Sequence, residues 1–381
     1  MLRPCSATRF CMDWEPEPHK HPTIRHKCSA CFKQYKKKEH LVAHMRASYH
    51  SVHQPKCGVC QKYFKTFESL REHLTGPLAK SNCSSIFANQ GCSLCVKIFD
   101  GAAGLSKHKE ICELPAPAPF GTLIMPCTES HVDISAPEHG EYSGGPKAIA
   151  IDCEMVGGGS DGSLDLCGRV CLVDEDENLI FHTYVRPQIP VTSYRYEVTG
   201  ITEEHLRDAM PLKEVQARLL HILYNGESIG RVRLDGGRAM LLVGHELEHD
   251  LECLRMNYPD HLLRDTAKYC PLMKTNMVSH SLKYLTRTYL GYDIQSGMRN
   301  PFVNCVSVMR LYKRMRTQDH CEEGFRTSIA LQQALAPTNG FDSWKSKELE
   351  SMTPDELFQI SNSNYRCWCL DSRTRSPGLL A

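Results

Sequence analysis

The stretch AIAIDCEMVG at residues 148–157 constrains the fold most, because an apolar run ends there in two acids. Four consecutive apolar residues with two Ile are typical of a central strand that is buried on both faces. Asp152 and Glu154 lie two residues apart, so their side chains point to the same face of that strand. Two like charges on a buried strand are costly without a cation. The pair predicts a Mg²⁺ or Mn²⁺ site; the alternative is two solvated acids at an exposed strand end.

Length and charge indicate a chain of two or three domains, since it has 381 residues. The net charge of +1 hides an asymmetry, because residues 19–112 carry 16 Lys and Arg against 5 Asp and Glu. There is no secretory leader pattern and no apolar run of membrane-spanning length, so we expect an unsecreted protein without a membrane partner. In that setting the 20 Cys favour zinc binding over disulfides.

Three repeats between residues 25 and 112 share the spacing Cys-x2-Cys-x12-His, with an aromatic residue and a Leu at fixed positions between the Cys pair and the His. The Cys pair fits a tight turn, and the later ligands fit one face of a helix, with a small core that zinc must supplement. The pattern resembles the ββα zinc finger of the Cys2His2 type. The predicted zinc ligands are Cys28, Cys31, His44 and His50 in the first repeat, Cys57, Cys60, His73 and Cys83 in the second, and Cys92, Cys95, His108 and Cys112 in the third.

The second and third repeats depart from that pattern at their last ligand. No His follows His73 at the usual spacing, and Cys83 is the predicted fourth ligand. Gly76-Pro77 is expected to break the helix before it. The third repeat ends in Cys112, which zinc accepts in place of His.

The fingers have few side chains suited to reading base edges. The positions that would face a groove hold Lys37, His40 and Ala43, then Thr66, Ser69 and Glu72, then Gly101, Gly104 and Lys107. The basic cluster Lys33, Lys36, Lys37 and Lys38 fits contact with phosphate, or else a solvated helix start. We expect binding of nucleic acid with low sequence specificity, either RNA or single-stranded DNA, with protein binding as the alternative.

Composition and periodicity divide the chain into five parts. Residues 1–24 are expected to be a flexible lead-in, 25–112 three zinc fingers, 113–146 a linker, 147–316 an α/β domain with a mixed sheet, and 317–381 a weakly ordered tail. In the α/β domain, a helical pattern follows Thr202, and a last helix is expected over about 302–315. Cys367 and Cys369 are too close together and too few for a zinc site.

A third acid, Asp250, stands in the segment LLVGHELEHDLECL. Leu247, Leu251 and Leu254 mark the buried face of a helix that follows a turn at Gly244. Asp250 borders that face, and the alternative is an exposed helix acid such as its Glu neighbours.

Residues 147–316 resemble the DEDD exonuclease superfamily, which has an RNase H-like fold. They are most similar to its eukaryotic RNA-exonuclease branch. The motifs that carry the resemblance are AIAIDCEMVG, RVCLVDEDENLIFHTYVRP with VTSYRYEVTGI, VGHELEHDL, and HSLKYLTRTYLGYDIQSG with VMRLYKRM. Zinc fingers in front of such a domain resemble a plant-type arrangement.

The resemblance implies hydrolysis of phosphodiesters from a 3′ end with two divalent ions. In that scheme Asp152 bridges both ions, Glu154 holds the ion on the nucleophile side, and Asp250 helps to hold the ion on the leaving-group side. A fourth acid and a His general base are expected in the third motif. This chain has Asn304 and Arg299 at those positions. Arg stays protonated, and Asn offers an oxygen without a charge.

Three interpretations of the altered third motif follow. The domain is a slow 3′–5′ exonuclease without a protein base, or a pseudo-exonuclease that binds nucleic acid without cutting it, or an enzyme in which His280 or Asp293 substitutes. We expect retained but reduced exonuclease activity, Mg²⁺ or Mn²⁺ at a weakened two-metal site, and Zn²⁺ in the fingers. We also expect a nuclear location, with the cytoplasm as the alternative.

Overall fold

The structure of the protein is a computed structural model that describes residues 25–28, 33–48, 54–119, 147–228, 237–318 and 367–372. The predicted lead-in and most of the predicted linker lie outside the described residues, and so do the predicted ligands Cys31 and His50. No helix in the described ranges has the length and apolar character that crossing a membrane requires.

Nine strands and ten α-helices make up the described part of the chain. The strands are β1 (His26–Lys27), β2 (Gln34–Tyr35), β3 (Ala148–Gly158), β4 (Leu164–Val173), β5 (Leu179–Arg186), β6 (Val191–Ser193), β7 (Met210–Pro211), β8 (Leu241–Gly244) and β9 (Leu263–Asp265). The helices are α1 (Lys38–Ser48), α2 (Phe67–Thr75), α3 (Ser81–Gln90), α4 (Ala102–Cys112), α5 (Tyr196–Thr199), α6 (Glu203–Arg207), α7 (Leu212–Tyr224), α8 (Leu247–Cys253), α9 (Leu282–Tyr289) and α10 (Pro301–Arg316). Short 3-10 helices occupy Asp260–Leu262, Cys270–Leu272 and Trp368–Ser372.

The large sheet runs in the order β7-β5-β4-β3-β8-β9, and β6 pairs with the far end of β3. Strand β3 is antiparallel to β4 and parallel to β8, so the sheet is mixed. The α/β class with a central mixed sheet, as expected of an RNase H-like exonuclease domain, is therefore confirmed.

Strand β3 lies in the middle of this sheet because its first half is apolar on both faces. Residues 148–151 are buried, and α10 packs across β3 and β4. The register places Asp152 opposite Cys171 and Glu154 opposite Arg169, with a bulge directly after Glu154. Both acids therefore follow the buried half of the strand and face the same side of the sheet.

Local capping sets two helix starts near the site. The Asn300 side chain accepts hydrogen bonds from the backbone N–H groups of Phe302 and Val303, and Pro301 takes the first helical position of α10. Thr202 forms a capping box with His205 at the start of α6. The helical pattern that follows Thr202 is divided into α6 and α7 by β7, because Pro211 interrupts the helix.

The tail differs from the expectation of weak order at residues 367–372, which pack into the α/β domain. Asp371 accepts two hydrogen bonds from Arg264, at 2.7 Å to Nε and 2.8 Å to Nη2, and a third from the Tyr312 hydroxyl at 3.1 Å. The Trp368 ring stacks on Tyr269 with centroids 3.9 Å apart. Arg264 is buried on β9 and requires a counter-charge, which this distant segment supplies.

Replacing Asp371 by Asn should destabilise the protein by about 3–5 kcal/mol, because Arg264 then stays buried without its counter-charge. Thermal unfolding measures the loss as a lower Tm. The double variant Arg264→Met/Asp371→Leu removes both charges and should recover most of the stability. An unchanged Tm in Asp371→Asn would show that the tail segment does not hold this position.

Candidate active site

The structure brings Asn304 to Asp152 across 152 positions of sequence. The Asn304 Nδ2 group donates a hydrogen bond to Asp152 Oδ2 at 3.1 Å, and its Oδ1 accepts one from Gln295 Nε2 at 3.2 Å. Asn304 stands in the first turn of α10 and is only 4% exposed. Asn304 of the third motif therefore lies beside Asp152 of the first motif, and the Asn304 side-chain amide joins them by a hydrogen bond.

Glu154 forms an ion pair that the sequence did not reveal. Its Oε2 lies 2.6 Å from Arg169 Nη2, and the residue is only 3% exposed. The same Nη2 group donates to the carbonyl oxygens of Thr199 and Arg299 at 3.2 and 3.3 Å. Glu154 Oε1 is buried without a hydrogen-bond partner. One oxygen of this acid is thus neutralised internally, and the other is left for an exogenous group.

Arg299 lies beside the two acids of β3. Its backbone N–H donates to the carbonyl oxygen of Val198 at 2.7 Å, which joins the loop before α10 to the end of α5. The positive charge of Arg299 lowers the pKa values of Asp152 and Glu154 against the larger effect of burial. The residue that stands in place of a general base therefore adds positive charge to the acid cluster.

A tight strand-to-helix turn positions Asp250. A Cβ on Gly244 would lie 2.2 Å from the Leu247 side chain, so a larger residue there would displace Leu247. The Asp265 carboxylate accepts the backbone N–H groups of Glu246 and Leu247 at 3.0 and 3.1 Å, which fixes the start of α8. Asp250 follows one turn later and is 6% exposed. Burial and then the charge of Asp152 raise its pKa well above the ordinary value.

Burial opposes ionisation of all three acids. Burial raises the pKa of Asp152 to about 7, although the Asn304 hydrogen bond and the charges of Arg299 and Arg169 lower it. Burial likewise raises the pKa of Glu154 to about 8, against the charge and hydrogen bond of Arg169. A cation would favour the ionised forms of these groups.

The donor set fits a hard divalent cation, because it consists of carboxylate and amide oxygens and includes the orphaned Glu154 Oε1. Asp152, Glu154 and Asp250 would hold the charge, and Asn304 would add a neutral oxygen. Within the described residues, the oxygens of the three acids do not all lie within 4.8 Å of one another. One oxygen of Asp152 accepts a hydrogen bond from Asn304, and one oxygen of Glu154 accepts a hydrogen bond from Arg169.

Two clusters of Cys and His lie outside the acid site. Each brings three thiols and one imidazole within 4.8 Å of one another, and both could bind zinc. They are Cys57, Cys60, His73 and Cys83, and Cys92, Cys95, His108 and Cys112. The second finger reaches its fourth ligand through a separate helix, because α2 ends before Gly76 and Cys83 stands in α3. In the first finger, Cys28 and His44 fall within the described residues.

The proposed substitutes for the missing base have contacts elsewhere. His280 stacks on Tyr284 with centroids 3.9 Å apart and faces Glu68 of the second finger at 3.6 Å. Asp293 pairs with Arg287 at 3.9 Å on an exposed surface. Among the described residues, neither group contacts Asp152 or Glu154. The third interpretation of the altered motif therefore has no structural support.

Without a divalent cation, the folded protein should lose stability as pH rises from about 4 to about 8. In the folded protein the pKa values of Asp152 and Glu154 are about 7 and about 8, above the ordinary values of these carboxyl groups. The folded state therefore binds more protons than the unfolded state in this window, and stability falls with pH. The check is Tm against pH in magnesium-free, zinc-replete buffer. Adding Mg²⁺ or substituting Glu154→Gln should flatten the curve; a curve that neither change alters would contradict the assignment.

Comparison with known proteins places the acid site in an exonuclease context. Residues 149–296 match the exonuclease family RNase_T. The chain is 36% identical over 174 residues to RNA exonuclease 4 of Saccharomyces cerevisiae, covering 45% of this chain and 55% of that protein. It is 32% identical over 193 residues to RNA exonuclease 4 of Homo sapiens, covering 50% and 42%. The chain spans about half the length of these curated relatives.

Among solved structures, the catalytic unit of Neurospora crassa Pan2 (protease and nuclease domain) matches with a TM-score of 0.37 and 17% identity, covering 57% of this chain and 33% of that one. The family match and the relatives support a DEDD exonuclease domain. Within that superfamily, they support the RNA-exonuclease branch.

Proposed function

We propose that the protein is a 3′–5′ exonuclease that hydrolyses RNA or single-stranded nucleic acid. The observation that carries the proposal is the convergence of Asp152 and Glu154 on β3, Asp250 on α8 and the third-motif residue Asn304 on α10. The match of residues 149–296 to exonucleases supports the same reaction class.

The residues of this chain have distinct parts in that reaction. Bound divalent ions would supply Lewis-acid stabilisation of the attacking and leaving oxygens. Asp152, Glu154 and Asp250 provide the negative charge that attracts those ions. Asn304 holds the Asp152 carboxylate in place by its hydrogen bond.

Arg299 favours binding over proton transfer. Its guanidinium attracts the phosphate of a substrate end, and it cannot accept a proton at neutral pH. The absence of a positioned general base should lower the rate of hydrolysis by roughly 10²–10⁴-fold. We therefore expect a slow enzyme.

The second candidate is a pseudo-exonuclease that holds nucleic-acid ends without cutting them. Two observations favour it: Asn304 and Arg169 already satisfy oxygens of Asp152 and Glu154. Internal partners of this kind compete with cations for the same carboxylates.

The first finger is the part of the zinc-binding region that we assign to nucleic acid. Lys33, Lys36 and Lys37 are exposed next to the start of α1. Lysines in such a cluster contact phosphate without reading sequence. They would raise the affinity of the enzyme for its substrate.

The direction of shortening tests the proposal. A 5′-labelled single strand is incubated with Mg²⁺ or Mn²⁺, once with a free 3′ hydroxyl and once with a 3′ phosphate, as RNA and as DNA. We expect a ladder that descends from the 3′ end of the strand with the free hydroxyl. Binding without shortening would select the pseudo-exonuclease, and equal shortening by an Asp152→Ala variant would exclude this site.

A further inference from the structure

The helix of the second finger packs against the exonuclease domain. Phe67 in α2 meets Tyr289 in α9 edge-on, with ring centroids 5.8 Å apart. Both rings are buried, and Phe67, Leu70 and Leu74 belong to the same hydrophobic core as β3 and α10. The finger and the domain therefore share one apolar interior.

Glu68 adds a polar contact at the same surface. Its Oε2 accepts the backbone N–H of Thr275 at 2.6 Å, and its Oε1 lies 3.6 Å from His280 Nε2. Both partners belong to the segment that leads into α9. The Glu68 carboxylate thus fixes the segment that precedes α9 by a charge-assisted hydrogen bond.

Arg71 joins both fingers to α9. Its Nη2 donates to the carbonyl oxygens of Leu94 in the third finger and Thr288 in α9, at 2.8 and 3.2 Å. Its guanidinium lies over the Tyr289 ring, 5.0 Å from the centroid. One side chain of the second finger therefore contacts both the third finger and α9.

The end of the third finger makes a second attachment. Arg314 in α10 donates to the carbonyl oxygen of the zinc-cluster residue Cys112, and Arg310 donates to that of Pro115 at 2.7 Å. The backbone N–H of Leu114 donates to the carbonyl oxygen of Leu290 at 3.3 Å. The last zinc cluster is thereby tied to the helix that carries Asn304.

These contacts lie beside the positions of the second finger that would face a groove of nucleic acid. Such a finger contacts a groove through residues at and near the N-terminus of its helix. Of the groove-facing positions in this finger, Thr66 is buried. The next two residues, Phe67 and Glu68, contact α9 and its preceding segment.

We propose that the second and third fingers are an internal docking module whose partner is the exonuclease domain of the same chain. Zinc bound to them is then a structural cofactor of that domain, which holds α9 and α10 in place. Of the three fingers that were expected to bind nucleic acid, only the first is then assigned to that role. This inference is independent of whether the domain cleaves its substrate.

Hydrogen exchange of α9 in the full chain tests the docking with a matched pair of variants. Glu68 and Glu72 stand one turn apart in α2, but Glu72 is exposed. Glu68→Ala should speed amide exchange over residues 282–289 by about tenfold or more, since it removes a charged hydrogen bond. Glu72 is the exposed groove-facing position of this finger. Because the proposal assigns the finger to docking and not to nucleic acid, Glu72→Ala should leave both exchange and RNA affinity unchanged.

A second experiment measures hydrogen exchange of the same amides after zinc is removed by a chelator, and again in a Cys60→Ser variant. Mass spectrometry determines how much zinc stays bound. We expect faster exchange in α9 and the first turns of α10 when zinc at the two clusters is lost. Exchange that is unchanged in both Glu68→Ala and the zinc-free protein would overturn the proposal, as would an RNA affinity that falls in Glu72→Ala.

Discussion

An Asp152→Asn variant should release nucleotides at least about 100-fold more slowly than the native protein. Mutating a residue that only supports a metal ligand already lowers metal affinity or activity by about 10–100-fold, and Asp152 is a predicted ligand itself. The substitution keeps the size of the side chain and removes its charge. Asp152 contacts Asn304, and its charge raises the pKa of Asp250, so it couples three elements of the site. The same variant should bind Mn²⁺ more weakly in a calorimetric titration.

The matched control is Asp176→Asn, which makes the same change in the exposed turn between β4 and β5. It should leave both the rate and Mn²⁺ affinity at the native level. If both variants had equal rates, Asp152 would not be at the centre of catalysis.

Restoring the third motif should have the opposite effect. The double variant Asn304→Asp/Arg299→His supplies a fourth acid and a group that can accept a proton, and we expect a gain of roughly 10²–10⁴ in rate. The gain should appear in kcat, because the proton transfer acts in the transition state. Steady-state kinetics with Mg²⁺ or Mn²⁺ measures it.

The added charge should also make stability depend on the cation. Asn304 now donates to Asp152 at 3.1 Å, so a carboxylate there would place two buried like charges in contact. In magnesium-free buffer the Tm should fall, and Mn²⁺ should restore it. Asn300→Asp is the control, since an Asp can keep the cap of α10 without entering the acid cluster. A double variant without a rate gain would mean that the rest of the site is not competent.

Much of the fold follows from local sequence patterns. The buried run of β3, the last helix and the Cys and His spacings are short-range features, and each is predicted from a few adjacent residues. Asp152 and Glu154 are predictable as a pair for this reason. Gly76-Pro77 likewise predicted the helix break that separates His73 from Cys83.

The contacts that the sequence did not predict join residues that are far apart along the chain. The pairing of Glu154 with Arg169 requires the register of β3 and β4, including the bulge after Glu154. The ion pair of Arg264 with Asp371 joins positions 107 residues apart. The docking of α2 on α9 brings together residues more than 200 positions apart, as in the hydrogen bond of Arg71 to Thr288. The periodicity of a sequence does not predict such contacts. The unusual length of the second finger is nevertheless a signal that this finger does more than bind zinc.

The most direct test of the active site is the release of a labelled 3′-terminal nucleotide from single-stranded RNA by the zinc-replete native protein, with and without Mn²⁺. We expect that a labelled mononucleotide is the first product, that its release requires Mn²⁺, and that Asp152→Asn nearly abolishes this release. RNA that binds but is never shortened at any Mn²⁺ concentration, or equal release by Asp152→Asn, would contradict it.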